Sequence, residues 1–423
     1  MRVSGGTGFA NAVLPEETMC TAQPTELSGK RLLLVVPSAT SFETFFPGVT
    51  ARWVKLGGLA AVATGPELPG RLTTPWPAGV KRFRLRDFRC GRPGPMLAAS
   101  AQLHRIIREW TPEIVHAHFA VAVLASACAR LSMPWADVHW LATYQGLHAG
   151  AEGTSCRARW AELMAARLMS QNWVLTRHDA EILSLAIGPA TVRHQRSLGV
   201  GCDLARFDPV RYSGQGRRSL RESLAIPPDK AVLLYIGRKA AFKGFASAVR
   251  CLWATRQLGH DAHLIVVGTN DSLHSSGLSA EEQNRYMHDC HITDAGWQDD
   301  VAPYLAIADL TVIPSIREGM SVAMMESLAM GVPVVTSDRR GCGDVVRNGI
   351  DGVTLASVQP ASVAEAVSAL LVDRARLAGM TAEAIRGRSR FDRKNYINEQ
   401  VEIYARLFGD NRRAYSRESV GDP

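Results

Sequence analysis

One pattern limits what this chain can become more than any other: an alternation of short apolar runs with helical segments, which runs its course twice. In the first half the apolar runs are Arg31–Val36, Leu59–Thr64, 81–88, 113–116, 138–144 and 172–176, with helical spacing over 96–110, 121–131 and 157–169. The chain then turns Pro-, Gly- and Ser-rich near 208–216 (DPVRYSGQG). Beyond it the alternation restarts, with strands over 231–237, 263–268, 310–314 and 332–336 and helices over 245–258, 301–308 and 321–330. Runs that are apolar on both faces suit strands covered by helices on both sides. Repeated strand–helix alternation implies a parallel, doubly wound sheet. The expected architecture is therefore α/β, with two Rossmann-like domains facing a central cleft. The boundaries read as a tail over 1–29, a first domain over 30–208, a linker over 209–218 and a second domain over 219–390. A helix over 391–410 is expected to pack back on the first domain, before a polar tail over 411–423. Ligands of such folds bind at the carboxyl ends of the strands, where the strand order reverses.

Composition removes several other classes. The 423 residues are 46% hydrophobic and 21% charged, which excludes a disordered or collagen-like chain. No apolar run approaches the ~18 residues of a membrane span. The net charge of +8 comes from 48 basic against 40 acidic residues, and only seven of the 48 are lysines. No dense basic stripe with aromatics exists, so nucleic acid is not an expected partner. The segment 81–92 holds six bases against Asp87 alone. It reads as an edge strand with a solvated face, or as a weak peripheral contact with an anionic membrane. The eight cysteines lie at least 28 residues apart without a C-x2-C pair, as for buried thiols in a reducing compartment. Residues 1–29 lack the apolar core of a secretion signal, and a cytoplasmic location is expected.

The stretch 310–346 carries the most chemistry. It reads as strand, loop 314–320, helix 321–330, a Gly331 stop, a second strand and a glycine loop at 340–343. The helix start offers unpaired N–H groups from Gly319, Met320, Ser321 and Val322 together with the positive end of the helix dipole, a ready anion site. Glu318 lies in the loop and Glu326 two helical turns on, each able to accept hydrogen bonds from sugar hydroxyls. The competing view is a helix with an acidic start and an ordinary buried glutamate. Earlier, Gly237-Arg238-x4-Lys243-Gly244 follows a strand, so two cations can clamp a diphosphate between them. The plainer view is a surface turn with two solvated bases.

GRKAAFKG followed by AGWQDDVAPYLAIADLTVIPSIREGMSVAMMESLAMGVPVVTSDRRGCGDVV resembles the donor half of the retaining glycosyltransferases of family 4, which have the GT-B fold. TPEIVHAHFA and SLGVGCDLARFDP resemble that family's first half more weakly. The resemblance implies that Arg238 and Lys243 bind the donor's diphosphate, Glu318 the donor sugar and Glu326 the ribose. It places Trp297 by the base and matches the strand ending in His116-x-His118; of the two, His118 is expected to face the cleft because it lies nearer the strand's carboxyl end, the plainer view being a core imidazole bonded to backbone. Gln145 stands where the family commonly has a histidine, and His148 could substitute for it. No D-x-D occurs, so a metal-independent reaction without cofactors is expected. The leaving diphosphate would be neutralised by the two cations and the helix tip.

The acceptor is expected on loops 38–46 and 145–155, which hold Glu43, Glu152 and His148 among aromatics. Acids among aromatics suit a small cationic polyol, so the first expectation is hexose transfer, GlcNAc or glucose, from a UDP-sugar to an aminocyclitol. 2-Deoxystreptamine in aminoglycoside antibiotic biosynthesis is the example. A lipid-linked sugar in polysaccharide assembly is the alternative acceptor. A UDP-sugar epimerase of GT-B fold is the alternative from another class, and a non-catalytic sugar-nucleotide binding protein a third.

Overall fold

Whether an apolar run becomes a strand depends on finding cover for both of its faces. β1 (Arg31–Val36) sends Leu33 and Val35 into one core and Leu32, Leu34 and Val36 into another. The computed structural model describes residues 27–66, 76–89, 92–150, 154–271 and 274–418, with side chains to residue 408. With β2 (Leu59–Thr64), β3 (Val80–Arg84), β4 (Ile114–His118), β5 (His139–Tyr144), β6 (Gln171–Val174) and β7 (Val192–His194), β1 builds a parallel sheet in the order β3-β2-β1-β4-β5-β6-β7. The second half repeats the plan with β8 (Ala231–Ile236), β9 (Ala262–Val267), β10 (Ile292–Gly296), β11 (Leu310–Ile313), β12 (Val334–Ser337) and β13 (Gly352–Leu355). These strands are also parallel, in the order β10-β9-β8-β11-β12-β13. The order reverses beside β1 and again beside β8, so the crevices of both lobes open where β4, β8 and β11 end. The basic segment starts as the edge strand β3, paired only with β2; Lys81 lies over the Phe83 ring and Arg82 over Trp76.

Two chain crossings join the lobes. Cys202 N–H donates to the Phe391 carbonyl at 2.8 Å, and Arg393 N–H donates to the Cys202 carbonyl at 3.0 Å. The helix Arg393–Glu418 then lies on the first lobe. Its Tyr404 is fully buried, edge-on to Trp53 at 5.7 Å, with its hydroxyl 2.8 Å from His116 Nδ1. Glu399 on the same helix accepts N–H bonds from Arg196 (2.7 Å) and Ser197 (2.8 Å).

Three boundaries differ from those read in the sequence. The Gly- and Ser-rich stretch is no open linker: the Ser213 hydroxyl caps the helix Gly214–Ser223 by accepting from Gly216 N–H at 3.1 Å. A serine ahead of a helix supplies the acceptor that the first turn needs. The final helix continues beyond 410, and Leu27 is fully buried beside Trp53, so the fold starts before residue 30. Residues 1–26, 419–423 and Glu152 lie outside the described residues. Among the described residues no helix is long and apolar enough to cross a membrane.

Candidate active site

The loop after β8 is shaped by Gly244, whose φ is +73° and whose missing Cβ would overlap the Pro314 carbonyl oxygen after β11. Only glycine fits both demands. The close approach brings Lys243 Nζ to 2.6 Å from Glu318 Oε2, joining the two strand ends across the switch point. Arg238, half-exposed, pairs with the buried carboxylate of Asp271. Beneath them lies Phe242, with Arg238, Lys243 and Arg317 at 5.4, 5.8 and 5.0 Å from its ring. Three cations gather around one aromatic ring, within the reach at which its quadrupole attracts positive charge.

The helix Val322–Ala329 starts at Ser321, which makes no side-chain cap, so its first N–H groups keep their donor capacity. Just before it, Gly319 packs against the first lobe: a Cβ there would overlap the Gln145 carbonyl oxygen. Between the lobes this leaves a cavity of about 460 Å³ lined by Arg238, Lys243, Glu318, Gly319, Met320 and Val322 from one side. Gln145, Gly146, His148 and Phe119 face it from the other. Phe242, Arg317 and Arg340 also border a second hollow of about 1210 Å³, with Asp338, Arg339 and His178.

Of the residues picked from the sequence, Arg238, Lys243, Glu318, Gly319, Met320 and Val322 meet Gln145 and His148 around one cavity; Ser321 is buried at the helix start beside them. Gln145 Nε2 is buried without a partner among the described residues, and the His148 ring bonds Glu162 at 3.2 Å. Four expectations need correction. His118 does not open on the cavity: its ring is buried between Phe46 (4.2 Å) and His116 (4.0 Å), where desolvation and its histidine neighbour hold it neutral. All five residues of β4 are buried, so nearness to the strand end does not decide which ring faces out. Glu43 lines neither cavity and accepts from Trp76 Nε1 at 3.1 Å. Trp297, half-exposed on Asp299 at 3.1 Å, follows the edge strand β10 and stands apart from the cluster. Glu326 also lines neither cavity. It lies on the side of the inter-lobe crossing, where burial pushes its carboxyl up to about 7 against the charges of Arg393 and Arg206.

Sequence reasoning missed Asp271, Glu162, Asp179, Arg317 and Arg340. Glu162 is buried on the helix Cys156–Arg167 and accepts N–H bonds from His148 (3.1 Å) and Ala149 (2.6 Å), fixing the loop that faces Gly319. A carboxylate on the apolar face of that helix was the available signal. Among the described residues one trio could hold a metal ion, Asp289, Cys290 and His291, with ligand atoms within 4.8 Å of one another; it lies outside both cavities.

Residues 230–373 match the family model described as glycosyl transferases group 1. The second lobe is a group 1 glycosyltransferase domain. Its β8–β13 sheet and both cavity-forming loops fall within the match. Proteins similar to this chain include the D-inositol 3-phosphate glycosyltransferase of Xylanimonas cellulosilytica, 28% identical over 54% of this chain and 55% of the relative. Another is the UDP-Gal:alpha-D-GlcNAc-diphosphoundecaprenol alpha-1,3-galactosyltransferase of Escherichia coli, 24% identical over 59% and 64%. The chain thus spans about half the length of the first curated relatives it matches. The fold is GT-B: Anabaena Alr3699/HepE, solved with UDP and glucose, superposes with a TM-score of 0.71 at 19% identity, covering 89% of this chain and 99% of that one. The lipopolysaccharide glycosyltransferase WaaG gives 0.68 at 15% identity, over 89% and 99%.

Proposed function

We propose that the chain is a retaining, metal-independent glycosyltransferase that moves a hexose from a nucleotide sugar, UDP-GlcNAc or UDP-glucose first, to an acceptor hydroxyl. The observation that carries this reading is the meeting of Arg238, Lys243, Glu318 and the uncapped helix start around one cavity between the lobes. A diphosphate bound there gains negative charge as the glycosidic bond breaks. Fixed cations and backbone N–H groups stabilise that charge without reorganising. Glu318 orients the sugar hydroxyls from its place on the cavity wall. For retention, the departing phosphate oxygen takes the acceptor's proton as the acceptor attacks the same face, so the protein supplies positioning and electrostatics alone.

For the acceptor, a cationic aminocyclitol loses support because Glu43 is engaged with Trp76. The larger hollow carries groups of both signs, Arg317, Arg339 and Asp338, a mixture that suits a polyhydroxylated acceptor. The alternative of a sugar on a lipid diphosphate is therefore the better supported, in line with the E. coli relative's printed substrate. The test is a panel of sugar nucleotides with and without acceptors, with chelator present, followed by NMR of the products. Release of the nucleoside diphosphate with an α-linked product supports the reading. A changed sugar nucleotide formed without acceptor would indicate an epimerase, and activity abolished by chelator and restored by Mg²⁺ would overturn metal independence.

A further inference from the structure

One buried ion pair crosses from lobe to lobe at the rim of the cavity. Arg340, on the loop after β12, donates through one guanidinium nitrogen to Asp179 Oδ1 at 2.6 Å and to the Leu147 carbonyl at 2.9 Å. Asp179 is wholly buried in the first turn of the helix Arg177–Ile187, and its Oδ2 has no partner among the described residues. Arg340 is the chief source of positive charge holding down a carboxyl that burial pushes up. Leu147 belongs to the strip 145–150, which Glu162 fixes from behind by its two N–H bonds. On the other side, Gly341 packs its backbone on the carbonyls of Glu318 and Gly319. A continuous line of contacts therefore runs from the donor loop through Arg340 to the wall that bears Gln145 and His148.

Both ions lose water when the lobes meet, so the pair adds little net attraction. Any closure that leaves one of them buried and unpaired is strongly penalised. The planar guanidinium, anchored at two acceptors, thereby selects a single register of closure. We infer that Arg340 is a positioning residue for the transfer step: by docking on Asp179 and Leu147 it sets the acceptor wall of the first lobe against the donor loop of the second. This rests on the glycosyltransferase reading. The donor groups Arg238, Lys243, Glu318 and the helix start all lie on the second lobe, so donor binding does not need the pair, whereas transfer does.

The test compares Arg340→Met, Asp179→Asn, the double variant and Arg340→Lys. For each, transfer kcat, UDP affinity by calorimetry, melting temperature and radius of gyration by X-ray scattering with UDP bound are measured. Either single change lowers kcat at least tenfold and enlarges the radius of gyration, and in Asp179→Asn, whose residue lies outside the cavity lining, the UDP Kd stays within threefold. The double variant is no worse than the singles, and Arg340→Lys recovers part of kcat. Unchanged kcat in Arg340→Met, a UDP Kd that weakens in step with kcat in Asp179→Asn, or kcat losses that multiply in the double variant would each overturn the inference. Should Arg340→Met unfold, Asp179→Asn and Arg340→Lys carry the same comparison. If the wild type turns over no sugar nucleotide, the transferase reading fails; a radius of gyration then unaltered by Arg340→Met or Asp179→Asn refutes the docking role by itself.

Discussion

Lys243→Ala separates the two jobs the lysine performs. Its ammonium sits 2.6 Å from Glu318, at the strand end where the diphosphate is proposed to bind. Loss of one preorganised donor to a developing anion lowers kcat by about 100-fold or more. The second effect falls on the ground state. Glu318 is only 8% exposed, and without its counter-ion it keeps an uncompensated charge beside the diphosphate. Two like charges roughly 5 Å apart, at an effective dielectric near 20, repel by about 3 kcal/mol, enough to raise the donor Kd by some two orders of magnitude. The pair is thus worth more to the bound donor than to the fold. Adding Glu318→Gln to Lys243→Ala removes the repulsion, so the donor Kd recovers by at least tenfold while kcat stays low. The assay is steady-state release of the nucleoside diphosphate combined with calorimetric titration of UDP. A Lys243→Ala enzyme with kcat within a few-fold of wild type, or a double variant that binds UDP no better than the single, would refute this account.

Gly319→Ala places a methyl group against the Gln145 carbonyl and forces the lobes apart; kcat should fall at least tenfold with little change in melting temperature, and retained activity would show that the contact is dispensable. Tyr404→Phe strips the partner from the buried His116 Nδ1, whose ring burial already pushes down to about 3, so urea unfolding should register a loss of about 1–3 kcal/mol. Glu326, raised by burial to about 7 from an ordinary 4.5, binds its proton more tightly in the folded chain. Its contribution to stability is full below about 4.5, declines as pH rises towards 7 and is level above that. Melting temperatures from pH 4.5 to 8 should therefore fall less in Glu326→Gln than in wild type, and identical slopes would contradict the assignment.

The amino-acid order alone determined the strands that form the centres of the two sheets, because a run such as Leu32–Val36 or 231–236 is apolar on both faces and needs no partner to declare itself. It also determined which groups of the second lobe meet at the cavity. Arg238, Lys243, Glu318 and Gly319 each sit within a few residues of a strand end or helix start, and parallel topology gathers such ends at one crevice. β7, β10 and β13 escaped notice: they are short and partly exposed, and take strand form only by hydrogen bonding to a neighbour already in place. Tertiary structure decided everything that depends on a distant partner. Which way His118 turns is set by Phe46 and a fully covered strand. Glu43 is drawn off by Trp76, and Arg340 finds Asp179 across 161 positions of chain. Local spacing records which groups leave the backbone at a strand end. The direction a side chain finally takes depends on what packs over it, and that information belongs to the two lobes together.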